Sequence, residues 1–86
     1  MNAPNFKPNT SQKIVKMYAW IATEPDGGEG VVAIRLPDGM WMPLVGADRE
    51  RIDSLRKQAV GIMRDTNMPI ALKEFSTCTV LEELTP

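Results

Sequence analysis

The stretch LPDGMWMPLVGAD, residues 36–48, contains a tight-turn signal, a short strand and the start of a helix. Pro37 suits the first central position of a type I turn, and Gly39 suits the left-handed position that closes a three-residue hairpin loop. Pro43 cannot donate a hydrogen bond to a ladder, so within the strand at residues 40–45 it belongs at an edge or near an end. The stretch predicts a hairpin whose second strand leads directly into a helix.

Two strand patterns precede this stretch, and a further one follows the predicted helix. Residues 16–23 are rich in aromatic and apolar side chains, and residues 30–36 are rich in β-branched ones, as strands usually are. Between them EPDGGE, residues 24–29, predicts a turn. Residues 69–75 alternate between apolar and polar side chains and predict the last strand. The chain is therefore expected to form four strands.

A single helix is predicted over residues 49–66, with Asp48 as its N-cap. Asn67 and Pro69 end it, because proline disfavours helical backbone at the residue before it. The segment STCTVLEEL, residues 76–84, fits either one helical turn or a short strand, and both remain open. The apolar residues of the helix fall on one stripe: Ile52, Leu55, Ala59, Ile62 and Met63.

The predicted order β-β-β-α-β defines an α+β fold, a small antiparallel sheet with one amphipathic helix on one face. The length of 86 residues allows one small domain, which we assign to residues 14–86. Residues 1–13 are rich in Asn, Pro, Ser and Lys without periodicity and are predicted to form a disordered tail. The position of the last strand in the sheet stays open.

The register between the first two strands decides which side chains face the helix. A turn centred on PDGG places Ile21 opposite Val32 and Ala19 opposite Ile34, and opposed residues share a face. A shift by one residue would exchange the two faces. The predicted inner face also contains Met17, Leu36, Met40, Met42, Ile70 and Leu72. The predicted outer face contains Tyr18, Trp20, Ala22, Val31, Ala33, Arg35 and Trp41.

From this arrangement we predict a partner-binding or dimerisation surface formed by Tyr18, Trp20, Ala33, Arg35 and Trp41. One helix covers only one face of a sheet, and exposed apolar patches beyond a few hundred Å² are uncommon on monomers. Arg35 and Trp41 are placed for a cation–π contact. The alternative is that the chain's own termini shield these aromatic side chains.

The composition argues against catalytic and metal-binding chemistry. The chain has no histidine and one cysteine, Cys78, which removes the commonest general base, the Cys–His nucleophile pair and cysteine-based zinc sites. The acidic residues near the turns match neither an EF-hand loop nor a phosphate-binding loop. We therefore expect a non-catalytic protein with no cofactor, no metal and no small-molecule substrate.

Charge and hydropathy limit the classes of partner. The net charge is −1, with 10 basic and 11 acidic residues, so a general attraction to nucleic acid or to an anionic membrane is not expected. No run approaches the ~18 apolar residues of a membrane span, and the single cysteine fits a reducing cytoplasm. We expect a homodimer, another homo-oligomer or a complex with a partner protein. Stacking of single-stranded nucleic acid on Tyr18, Trp20 and Trp41 is an alternative.

Two segments, DGGEGVVAIRLPDG and GADRERIDSLRKQAVGIM, resemble the core of HicB-type antitoxins. Those small β-β-β-α-β domains carry Gly-Gly before the second strand, Leu-Pro-Gly after it and Gly-Asp before the helix. This chain departs from the pattern by inserting Asp38 before the last glycine of the turn. The resemblance implies the same fold and, as a further alternative, a toxin-binding antitoxin domain. The similar positions are Gly27, Gly28, Leu36, Pro37, Gly39, Gly46 and Asp48.

Overall fold

The computed structural model describes residues 13–86, so the tail predicted at residues 1–13 lies outside the described part except for Lys13. The second and third predicted strands are each divided into two short strands, and the predicted helix is divided as well. The mostly antiparallel sheet with helices packed against it confirms the predicted α+β class. The elements described are β1 Met17–Thr23, β2 Glu29–Val31, β3 Ala33–Arg35, β4 Trp41–Pro43, β5 Val45–Gly46, α1 Arg49–Ser54, α2 Arg56–Thr66 and β6 Ile70–Phe75.

β1 is the central strand of the sheet. β6 pairs with it antiparallel along one edge, from Met17 opposite Phe75 to Ala22 opposite Ile70. The other edge of β1 is shared, since β2 pairs with its C-terminal half and β5 with its N-terminal half. β3 and β4 pair with each other as a separate hairpin. The last strand thus lies beside the first, which settles the point that the sequence pattern left open.

Three residues close the junction at which this hairpin leaves the sheet. The Trp20 N–H donates to the Leu44 carbonyl (3.1 Å), the Leu44 N–H to the Val32 carbonyl (2.7 Å), and the Val32 N–H to the Trp20 carbonyl (2.9 Å). These hydrogen bonds form a closed ring, and all three side chains are buried in one cluster. The chain changes its strand partner at Val32 and at Leu44. For this reason the second predicted strand is divided into β2 and β3, and the third into β4 and β5.

The two hairpin turns share one structure. In the first, the Gly27 N–H donates to the Glu24 carbonyl (2.9 Å) and the Glu24 N–H to the Gly28 carbonyl (2.7 Å). The equivalent bonds within residues 36–40 measure 2.9 and 2.7 Å. Each turn is thus a three-residue Pro-Asp-Gly loop, and its glycine has a positive φ of 92° or 89°, a conformation that favours glycine. In both turns the Asp carboxylate accepts a hydrogen bond from the N–H two residues further on.

The predicted register between β1 and the second strand is wrong by one residue. Ile21 lies opposite Val31, not Val32, because the first turn closes on three residues and not on the four residues PDGG. The shift turns β1 over relative to the prediction, since side chains alternate along a strand. The residues of β1 that pack on the helix side are Tyr18, Trp20 and Ala22, and those on the opposite face are Met17, Ala19 and Ile21.

The orientation predicted for the hairpin strands is confirmed. Val32, Ile34 and Met42 pack in the helix-side core, and Arg35 lies opposite Trp41 on the other face. Met40, which was predicted to be inside, is exposed, because it lies at the tip of a hairpin that extends beyond the sheet. Only β1 is inverted, so the error comes from the first turn alone.

The helix predicted over residues 49–66 is present but interrupted at Leu55, whose φ of −91° and ψ of 1° are not helical. The Asp48 side chain accepts a hydrogen bond from the Glu50 N–H (2.9 Å), which confirms the predicted N-cap. α2 ends at Thr66, and Asn67, which caps it, is left-handed with a φ of 55°. The helical stripe contributes three buried side chains, Ile52, Leu55 and Ala59.

Residues 76–86 form neither a helix nor a strand, so both expectations for the segment at 76–84 are wrong for the isolated chain. Every residue from Glu74 to Pro86 is exposed. Ile70 and Leu72, just before this segment, do pack against the helix-side core as predicted.

Candidate interaction surface

The structure separates the five residues that were predicted to form one surface. Trp20 is only 9% exposed and lies in the core, and Tyr18 packs against the same core. Ala33 is half-buried, and Arg35 and Trp41 are exposed on the opposite face of the sheet. Of the three aromatic side chains proposed to stack bases, only Trp41 therefore points outward, so they do not form a common stacking platform.

Trp20 connects the sheet to the helices. Its indole N–H donates a hydrogen bond of 3.0 Å to the Ile52 carbonyl in the last turn of α1. The same carbonyl accepts the Leu55 N–H at 3.2 Å, where the helix is interrupted. A buried indole N–H needs such a partner, and a carbonyl at the end of a helix is free to supply one. The interruption at Leu55 and the burial of Trp20 therefore form one structural feature, which no local pattern indicates.

The face of the sheet opposite the helices, here called the outer face, is largely apolar. Its exposed apolar side chains are Met17, Val31, Trp41, Val45 and Phe75. They surround Ala19 and Ile21 on the central strand, which are buried although no helix of the described chain covers them. In the ladder Val45 lies opposite Ala19, and Val31 lies opposite Ile21. The exposed apolar side chains of the outer face thus lie around two buried residues of β1.

One ion pair crosses this outer face. The Lys73 ammonium on β6 lies 2.8 Å from the Glu29 carboxylate on β2. Lys73 is opposite Ala19 and Glu29 is opposite Thr23, so the pair spans β1 at the level of Ile21. Both side chains are about half exposed, and such pairs contribute at most about 1 kcal/mol. The pair helps to cover Ile21 and gives an otherwise apolar surface one polar contact point.

Arg35 and Trp41 form the far end of the outer face, on the hairpin. They are cross-strand partners, and the Arg35 guanidinium carbon lies 6.0 Å from the centroid of the Trp41 ring. The predicted cation–π contact is thus present, at the outer limit of distance for such contacts. An arginine stacked beside an exposed tryptophan combines the two side-chain types that most often anchor protein interfaces.

Outside the outer face, the charged side chain of Arg49 makes contacts within the fold. Arg49 pairs with Asp53 one helical turn away at 2.9 Å, and this hydrogen bond, together with the charge of Asp53, raises the pKa of Arg49. The Arg49 guanidinium also lies 5.9 Å from the ring of Tyr18. Within residues 13–86 no group of three or more His, Cys, Asp or Glu side chains is placed to hold a metal ion. Cys78 is a free thiol on the surface.

Comparison with protein-family models, with curated proteins and with solved structures gives no match for this chain. The resemblance to HicB-type antitoxins therefore stays an expectation from the quoted motifs. In the part of the chain that the structure describes, no helix has the length and apolar character needed to cross a membrane.

Proposed function

We propose that this protein is a small non-catalytic interaction protein that binds another protein chain through the outer face of its sheet. The single observation that carries the proposal is the row of exposed apolar side chains around Ala19 and Ile21, on the face that α1 and α2 leave uncovered. A second copy of the chain is the first partner to test, and a different protein is the other.

The composition of the outer face supports this proposal. Exposed apolar side chains grouped on one face, such as Val31, Val45 and Trp41 here, are typical of surfaces that bind another protein. Arg35 and Trp41 supply an anchor at one end, and the Lys73–Glu29 pair supplies a polar contact. The absence of histidine from the sequence removes the residue that most enzymes use as a general base. An apolar sheet face is accordingly a better match to a protein partner than to a substrate.

The test replaces two central residues of the outer face, Val31→Glu with Val45→Glu, in the full chain. Both side chains are exposed, so the substitutions should leave the fold intact while placing two charges in the proposed interface. We expect size-exclusion chromatography with light scattering to show a wild-type mass above the 9.6 kDa of one chain, and a mass near that of one chain for the variant.

Met40→Glu is the control, because Met40 is also apolar and exposed but lies on the helix side of the hairpin tip. It should keep the wild-type mass. If the wild type is monomeric at high micromolar concentration, the self-associating form of the proposal is wrong. A partner protein from a cell extract should co-elute with the wild type and be lost with the variant. If the wild type is monomeric and no such protein is found, the proposal as a whole is wrong.

A further inference from the structure

In the part of the chain that the structure describes, β6 has one paired edge and one open edge. The Thr23 N–H donates to the Pro69 carbonyl (3.0 Å), and the bonding direction alternates along an antiparallel ladder. Hence the N–H and carbonyl groups of residues 71, 73 and 75 point toward β1, and those of Ile70, Leu72 and Glu74 point away from it. Within residues 13–86 no strand pairs with that second edge. Such an edge is a template for another strand.

The segment that follows β6 has the composition of a strand without a partner. Residues 76–84 contain β-branched Thr77, Thr79 and Val80, and they contain no glycine, proline, asparagine or aspartate that would favour a reversal of the chain. Three apolar side chains in it are almost fully in solvent, with exposed fractions of 67% for Val80, 93% for Leu81 and 90% for Leu84. The segment thus does not pack its apolar side chains over the outer face of its own chain.

We propose that residues 70–86 of two copies pair antiparallel, so that the C-terminal segment of each copy adds a strand to the open edge of β6 in the other. The open edge and the unpartnered segment belong to one continuous stretch of chain, which makes the exchange reciprocal under a two-fold axis. Each extended segment would gain backbone hydrogen bonds from an edge that offers them, which is the physical basis of strand addition. The contact is made at the open edge of β6 and not on the flat of the outer face, although Lys73 and Phe75 belong to both, and it does not depend on the function of the outer face.

Side-chain complementarity selects the register. With the two-fold axis at Cys78, Phe75 of one copy lies opposite Leu81 of the other, and Lys73 lies opposite Glu83. Leu72 and Leu84 meet on the helix side, so two apolar pairs and one pair of opposite charge form at each end. Only Glu74 and Glu82 oppose a like charge, and the Lys16 ammonium lies 3.4 Å from the Glu74 carboxylate. In this register the groups of the even-numbered residues, which point away from β1, bond between the two copies.

The test compares Glu74→Pro with Glu74→Ala. Both variants lose the side chain that pairs with Lys16, but only proline removes the N–H that points to the open edge, and proline is tolerated at a sheet edge. We expect light scattering to give a dimer for the wild type and for Glu74→Ala, and a monomer for Glu74→Pro. Far-UV circular dichroism checks that the proline variant is folded. Val80→Pro against Val80→Ala repeats the comparison in the exposed segment, where loss of folding is not at issue.

Cys78 provides a second readout of the same geometry. In the proposed register the two Cys78 residues face each other with Cα atoms about 5.5 Å apart, which lies within the range of a disulfide. Mild oxidation of the wild type should therefore link two chains covalently in high yield. The double variant Cys78→Ser with Lys57→Cys moves the thiol to the exposed face of α2. It should give only the low yield of disulfide-linked dimer that random collisions produce. Glu74→Pro, which keeps Cys78, should give the same low yield.

The outcomes separate this inference from the proposed function of the outer face. A dimer that survives both proline substitutions but is lost in Val31→Glu with Val45→Glu would overturn the strand exchange and support the outer face. A dimer that is lost in both proline variants but survives in Val31→Glu with Val45→Glu supports the strand exchange. A wild type that is monomeric at high micromolar concentration, or an open edge covered by residues 1–12 of its own chain, would overturn the strand exchange.

Discussion

Trp20 connects three parts of the described fold: β1, the hairpin junction and the helices. Its backbone takes two of the three hydrogen bonds in the ring with Val32 and Leu44, and its indole bonds the Ile52 carbonyl at the break between the helices. Trp41, the other tryptophan, is 64% exposed and lies on the outer face of the hairpin. Two residues of the same type therefore have opposite roles, one in the core and one on the candidate interaction surface.

Trp20→Phe should lower the free energy of unfolding by about 2–3 kcal/mol, because it removes a buried hydrogen bond and leaves a small cavity between sheet and helices. Trp41→Phe should change it by less than about 0.5 kcal/mol, as exposed substitutions usually do. Urea unfolding followed by circular dichroism measures both. Equal losses in the two variants would contradict the assignment of Trp20 to the core.

At the scale of the elements, the glycines of the turns and of α2 differ in what they do. Gly39 has a φ of 89°, which an L side chain rarely adopts, whereas Gly61 lies within α2, where a Cβ would have no heavy atom within 4 Å beyond its own helix backbone. Gly39 is thus required by the turn, and Gly61 only lowers the helical propensity of α2. Within residues 13–86 no other group lies close to a Cβ placed at Gly61. The absence of a side chain at this position therefore serves no contact within the described chain.

We expect Gly39→Ala to lower the free energy of unfolding by roughly 1–2 kcal/mol, because it forces a side chain into the left-handed region. Gly61→Ala should raise it by about 0.5–1 kcal/mol, since alanine has the higher helical propensity. Thermal unfolding of the two variants beside the wild type checks both signs. A destabilising Gly61→Ala would mean that another group occupies the space beside α2.

At the scale of the whole molecule, stability depends on the junction where the sheet and the hairpin meet. The ring of backbone hydrogen bonds between Trp20, Val32 and Leu44 joins β1 to both strands of the hairpin segment. The side chains of these three residues lie in the same buried cluster as Ile52 and Ala59 of the helices. Opening the junction would therefore disrupt the sheet and the core together. The residues of the two hairpin turns belong neither to this ring nor to the buried cluster, so we expect the turns to open without disrupting it.

Native-state hydrogen exchange should show this difference. The amides of Trp20, Val32 and Leu44 should exchange only through global unfolding, as the best-protected amides of small domains do. The amides of Gly28 and Met40, which bond only to exposed Asp carboxylates of their turns, should exchange through local opening at much higher rates. Exchange of any junction amide at the rate of these turn amides would contradict the role assigned to the ring.

Much of the fold could be predicted from sequence, because many of its signals act over five residues or fewer. The N-cap at Asp48, the helix end at Asn67 and the hairpin at Gly39 are each set by hydrogen bonds or φ angles that neighbouring residues determine. The register of β1 was also within reach: residues 25–27 repeat the Pro-Asp-Gly of residues 37–39, and applying the second turn's geometry to the first yields the observed pairing. Reading the first turn as one residue longer was enough to invert a whole strand, since side-chain direction alternates with a period of two.

Local patterns were thus enough to predict the order of the strand and helix regions, the second turn, the ends of the helical region and the outward position of Arg35 and Trp41. The length of the first turn was predicted wrongly, and three features came only from the folded chain: β6 lies beside β1, the strands change partner at Val32 and Leu44, and the helix is interrupted at Leu55. Each of these depends on contacts between distant residues, such as the hydrogen bond from Trp20 to Ile52, 32 positions apart. Local propensity carries no information about such contacts, because their free energy exists only once the chain has brought the two groups together.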